Sequence, residues 1–159
     1  YRTWIDAQFD TSVTWKDIDW LRGIWKGRLI LKGIQEPDDA LAAAKVGADG
    51  VVVSNHGARQ LDSVNSSISK LPGVVAAVGE RMEVYVDGGA RSGLDVFKAV
   101  ALGARGVMIG RPWAWALAAG GEAAVAALLA TFRKELEVAM ALSGVTTIGQ
   151  IGPDQIDLA

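Results

Sequence analysis

Residues 47–62 read GADGVVVSNHGARQLD, and the parsing of this stretch decides the fold. Gly47 stops a helical run, and Val51–Val53 is a continuous β-branched run without polar alternation. Such a strand is buried on both faces, as in a parallel sheet. It ends in a polar cluster: Ser54, Asn55, the single histidine His56, and Arg59. The same order recurs elsewhere. "RLILKG" closes on Lys32; strand 83–87 of "MEVYVDGGARSG" leads into Asp87–Arg91; strand 106–109 of "GARGVMIGRP" leads into Gly110–Arg111.

Helical segments fill the intervals. Thr14 caps a helix from Trp15 to about Trp25, with Ile18, Leu21 and Trp25 on one stripe and Gly27 at its end. Pro37, Asp38 and Asp39 open a second helix that runs through Ala44. After a loop over 55–65, Ser66 begins a helical stretch to about Val78, and Ser92 caps another over 93–102. Pro112 starts a helix, and a longer amphipathic one over about 121–142 stops before Gly144. The tail 145–159 reads as loop with a short terminal turn. GADGV at 47–51 returns as GARGV at 103–107, which suggests two βα units per copy. The order is α, then βα four times, with no linker: one domain over 1–159, built on a parallel sheet with crossover helices.

An open doubly wound sheet and part of a (β/α)8 TIM barrel both fit four parallel strands. No G-x-G-x-x-G follows the first strand, and polar residues stand after every strand, which favours the barrel. A whole barrel takes about 250 residues, so this chain of 159 supplies roughly half. The other half is expected in a separate chain, a removed segment or a symmetry mate. Half of the residues are hydrophobic, 21% are charged, and the net charge is −2. That balance leaves no footprint for nucleic acid. Without cysteine there are no disulfides or thiolate metal sites, and no metal centre is expected. The first residues lack a signal-peptide pattern. Lys98, Arg105, Arg111 and several glycines break the apolar region 96–132, so no transmembrane segment is expected.

Lys32 is either a surface lysine with its head in water or a fixed cation inside the rim. A lone histidine is commonly structural. Here it follows a buried strand, where a barrel places its chemistry, with an arginine three positions on. Imidazole can take a proton near neutral pH, and guanidinium grips a carboxylate with two parallel bonds. The pair suits an acid substrate deprotonated beside its carboxylate. In Asp87–Arg91 and Gly110–Arg111, glycine backbone, helix N-termini and arginine charge suit a phosphate, with Asp87 facing hydroxyls. Trp15, Trp20, Trp25, Trp113 and Trp115 are assigned to packing in the core or at a subunit interface.

These motifs resemble the FMN-dependent 2-hydroxy acid oxidases and dehydrogenases, of the L-lactate dehydrogenase and glycolate oxidase type. The likeness runs from FDTSVTWKDIDWLRGIW through LKGI, GADGVVVSNHGARQLD and YVDGGARSGLDVFKAVALGARGVMIGRP to ALAAGGEAAV and ELEVAMALSG. It implies the C-terminal half of that barrel, strands five to eight, and FMN as cofactor. It further implies that Lys32 and Ser54 meet the flavin ring, that Asp87 takes ribityl hydroxyls, and that Gly88, Gly89, Ala90, Arg91, Gly110 and Arg111 surround the phosphate. His56 is then the base and Arg59 the carboxylate anchor, with Lys32 stabilising charge on reduced flavin. The reaction implied is oxidation of a small L-2-hydroxy acid, L-lactate ahead of glycolate, to the 2-oxo acid. In the family the upstream half adds an aspartate that orients the histidine, with a further arginine and tyrosine. Many lactate-type members read GGRQLDG where this chain reads GARQLDS. Ala58 matches plant glycolate oxidases, while VTWKDIDWLR looks like bacterial L-lactate dehydrogenases. The alternative is a non-catalytic FMN- or phosphate-binding half-barrel that acts only with a complementary chain. The resemblance also implies a homo-oligomer. A cytoplasmic location is expected, with the inner-membrane surface as the alternative, because users of oxygen, quinone and cytochrome share these motifs.

Overall fold

A computed structural model describes residues 4, 8 and 10–157 of the chain. Helix α1 (Trp15–Ile24) precedes four βα units: β1 (Ile30–Ile34) with α2 (Pro37–Lys45), β2 (Gly50–Val53) with α3 (Ser67–Val78), β3 (Glu83–Asp87) with α4 (Gly93–Ala101), and β4 (Gly106–Met108) with α5 (Arg111–Leu142). All three strand pairings are parallel, in the order β1-β2-β3-β4. This is the expected α-then-βα order. The tail adds single 3-10 turns at Ile148–Gln150 and Pro153–Gln155.

Alternation along the strands separates two faces. Val51, Val53, Val84 and Val86 are buried in one cluster with Ala40 and Ala43 of α2 and Leu71, Val74 and Val78 of α3. The opposite face carries Lys32, Val52, Ser54, Tyr85, Asp87 and Met108, by the pairing register. Val52 is buried even there, so β2 is enclosed on both sides as its composition requires. A smaller cluster joins Phe97 and Ala101 of α4 to Val145 and Ile151 of the tail, with Leu136 and Met140 of α5 against it.

The repeated pentapeptide is a repeated structure. Ala48 N–H bonds Ala43 O and Ala104 N–H bonds Ala99 O, both at 3.0 Å, so each copy closes a helix in the same way and feeds the next strand. A feature the sequence did not announce lies in β1. Its register with β2 slips between Lys32 and Ile34, and Gly33 takes up the extra residue at φ 99°. This bulge turns the chain immediately after Lys32.

Three expectations need correction. Helix α1 spans Trp15–Ile24 with Trp25 as its C-cap, as expected to within a residue, but Gly27 lies beyond the cap and does not end it, and none of the stripe is buried. Its start is held by Asp17, whose carboxylate accepts from both the N–H and the hydroxyl of Thr14 at 2.7 Å. Gly27 instead leaves room for the Trp25 ring, which a Cβ there would meet at 2.7 Å. Of the two packing roles expected for the tryptophans, the core is filled by Trp15, which packs against it, and not by Trp20, Trp25, Trp113 or Trp115, which are exposed. Third, α5 is long and apolar enough to cross a membrane by length and composition, with a mean hydropathy of 1.5. Lys98 and Arg105 precede that helix and Arg111 is its first residue, so they do not interrupt it. Gly120 and Gly121 are non-helical and divide it, as the two separate predicted helices require. Beyond that break, any stretch of spanning length takes in Arg133, Lys134, Glu135 and Glu137.

Candidate active site

The carboxyl ends of β1, β2, β3 and β4 open into one cavity of about 400 Å³. Lys32, His56, Arg59, Asp87, Gly88, Gly89, Ala90, Arg91, Gly110 and Arg111 all line it, together with Met108, Ile109, Pro112 and Trp113. Ten of the eleven predicted site residues thus share one cavity. The eleventh, Ser54, lies directly beneath, buried and bonded to Lys32.

Lys32 is a fixed cation. Its Nζ lies 2.8 Å from Asp87 Oδ2 and donates to Ser54 Oγ at 2.8 Å. Ser54 Oγ also accepts the backbone N–H of His56 at 3.1 Å. One hydroxyl therefore links the cation of β1 to the loop that carries the imidazole. Asp87 Oδ1 is buried with no hydrogen-bond partner. A buried acceptor left unpaired costs about 1–3 kcal/mol, so this atom suits a ligand hydroxyl.

His56, Gly57 and Ala58 follow β2 with φ of 57°, 66° and 58°. This left-handed run turns the chain over the cavity, and His56 and Arg59 both face solvent there. Among the described residues, no side chain bonds the His56 ring. Arg111 Nη2 donates to Gly57 O at 3.4 Å, tying the β4 turn to this loop.

The turn after β3 is a backbone cradle. Gly88 and Gly89 have φ of 93° and 90°, conformations that side chains oppose. A Cβ on Gly88 would lie 3.2 Å from Ser67 Oγ and 3.3 Å from Asn55 Oδ1. Nothing lies within 4 Å of such a Cβ on Gly89 or Gly110, so both backbones are open to a ligand. Arg91 and Arg111 supply charge at the amino ends of α4 and α5, where helix dipoles add positive potential. Asp95 organises the first of these ends: its Oδ2 accepts from Arg91 N–H and from the Ser92 hydroxyl, both at 2.9 Å. Burial pushes that carboxyl up, but these hydrogen bonds outweigh burial and hold it below the usual carboxylate value.

The donors and acceptors fit FMN: an orphaned acceptor for a ribityl hydroxyl, two open glycine turns with arginines for a phosphate, and an apolar wall of Met108, Ile109 and Trp113. Asn55 and Ser67 build the His56 loop; the sequence placed Asn55 in the polar cluster without a role and did not single out Ser67. Their only signal was position beside β2 and at the start of α3.

The model of the FMN-dependent dehydrogenase family matches residues 1–158. The L-lactate dehydrogenase of Caulobacter sp. (strain K31) is 58% identical over 148 residues, 93% of this chain and 39% of that protein. The L-lactate dehydrogenase of Pseudomonas aeruginosa (strain LESB58) is 49% identical over 156 residues, 98% of this chain and 41% of that protein. Among solved structures, mandelate oxidase with (S)-4-hydroxymandelic acid superposes with a TM-score of 0.83 at 47% identity, covering 86% of this chain and 39% of the other. A mandelate oxidase variant holding an FMN adduct gives the same score and covers 44% of its chain. The chain spans about two-fifths of the length of the curated relatives it matches.

Proposed function

The chain belongs to the FMN-dependent dehydrogenase family, whose (β/α)8 barrel it represents in part, and from that premise we propose that it carries the catalytic rim of an enzyme oxidising a small L-2-hydroxy acid to the 2-oxo acid. L-Lactate is the favoured substrate and glycolate the next. The observation that carries the reading is the gathering of an ammonium, an imidazole and three guanidinium groups around one cavity at the strand ends.

When bound, FMN supplies the two-electron acceptor. Lys32, held from beneath by Ser54, would meet its ring, with the ammonium offsetting charge gained on reduction. Asp87 accepts from ribityl hydroxyls through the oxygen that Lys32 leaves free. The turns Gly88–Arg91 and Gly110–Arg111 hold the phosphate. Arg59 binds the substrate carboxylate with paired hydrogen bonds, and this fixes the reacting carbon beside His56. The imidazole accepts a proton of the hydroxy acid. Its ring angle and tautomer need an orienting partner, and a carboxylate from the upstream barrel half fills that role. Activity therefore belongs to the assembled barrel.

The test is anaerobic mixing of the flavin-loaded assembly with L-lactate, followed by flavin absorbance. The parent protein bleaches; His56→Ala keeps the colour and loses the bleaching. Bleaching that survives in His56→Ala overturns the base assignment.

A further inference from the structure

Three successive residues after β2 have positive φ, and two of them, His56 and Ala58, carry side chains. L-residues leave this region unless neighbouring groups over-determine it. Ser54 Oγ accepts the N–H of the first of them, and the other two are held by the Asn55 side chain. Its Oδ1 accepts the N–H of Gly57 at 2.9 Å and that of Ala58 at 3.3 Å. Its amide nitrogen donates to Asn65 O at 3.2 Å. Two N–H donors on one side and a carbonyl on the other fix which end of the amide faces the turn. The Asn55 N–H donates to Ser67 Oγ at 3.0 Å, and Ser67 is buried at the head of α3. Asn55 Oδ1 and Ser67 Oγ also flank Gly88, so the cradle after β3 abuts the same support.

From this geometry we infer that Asn55 is a positioning residue for the hydroxy acid reaction. Its side-chain oxygen organises the left-handed turn that brings His56 and Arg59 to one cavity. Asn55 does not line that cavity itself. It acts through the backbone that carries the base and the anchor. The inference rests on the roles assigned above to His56 and Arg59. It demands an acceptor at this position, which aspartate retains and alanine lacks.

The experiment compares Asn55→Ala and Asn55→Asp with the parent in the flavin-loaded assembly. FMN affinity, kcat, KM, binding of the 2-oxo acid product from flavin absorbance, and amide exchange of Gly57 and Ala58 are measured. Misplacement of reacting groups by about 1 Å costs on the order of 10²-fold. Asn55→Ala is expected to lose about that factor in kcat/KM, bind the 2-oxo acid more weakly and exchange both amides faster, while FMN affinity stays within about two-fold. Asn55→Asp is expected to keep both amides protected and to return kcat/KM to within about ten-fold of the parent. The inference is overturned if Asn55→Ala matches the parent, if FMN affinity falls as far as kcat/KM, or if Asn55→Asp leaves the two amides unprotected. Should the alanine variant not fold, the aspartate variant alone decides by the same criteria. A parent that no 2-hydroxy acid reduces sinks the functional reading; a normally reduced parent with an unaffected Asn55→Ala sinks this inference alone.

Discussion

Ala58 and Ser63 sit at φ 58° and 61°, in the left-handed region that favours glycine. They are also the two positions at which GARQLDS departs from the GGRQLDG common among lactate-type members. A side chain costs about 1–2 kcal/mol there, partly offset because glycine has more freedom to lose on folding. Ala58→Gly is therefore expected to stabilise the chain by about 0.5–1 kcal/mol, read as a higher urea midpoint at unchanged slope. Lys32→Met should act in the opposite direction. It removes the cation from Asp87, whose other oxygen already lacks a partner. A loss of about 1–2 kcal/mol is expected by the same measurement. The positions of Lys32, His56, Arg59 and Arg111 were legible in the sequence, because a polar residue after an apolar strand is a local pattern. Their partners were not. Lys32 meets Ser54 and Asp87 only because three strands stand side by side in register.

Among the elements, α4 shows how tightly placement constrains composition. A Cβ on its first residue, Gly93, would lie 2.1 Å from Phe132 O and 2.3 Å from Leu136 N of α5. The Gly93 N–H donates to Glu135 Oε2 at 2.7 Å, so the same contact caps the helix. Gly93→Ala must push two helices apart, and a loss of about 1–3 kcal/mol follows, measurable as a lower midpoint with the parallel sheet retained by circular dichroism. Acid acts at the same end of α4. The Asp95 carboxyl titrates lower folded than unfolded, so its stabilisation is complete above the unfolded value near 4 and is lost as pH falls through the folded value. Asp95→Asn should flatten that part of the acid stability profile. Strand and helix order was legible because β-branched runs and stop signals act within a few residues. The bulge at Gly33 was not, because pairing with β2 sets it, and neither was the role of Gly27, which makes room for the Trp25 ring.

For the whole molecule, the consequence is an open sheet. β1 and β4 are edges, and Ile30 and Met108 on them are 44% and 45% exposed. Among the described residues both edges are unpaired, and such edges carrying exposed apolar side chains invite pairing. Residues 1–159 alone are expected to bind a hydrophobic dye strongly and to lose that signal on mixing with the upstream half of a relative. Dye binding unchanged by such mixing would count against the half-barrel. What the sequence by itself determined was the alternation of strands and helices, the chemistry waiting at each strand end, and the shortfall of residues for a closed barrel. These follow from side-chain type and spacing, which are properties of neighbours along the chain. Only the tertiary structure decided that Lys32 is pinned by Asp87 and Ser54, that Asn55 holds the base loop, and that most tryptophans face outward. Those outcomes depend on distances between residues remote in sequence, and such distances exist only once the strands have paired.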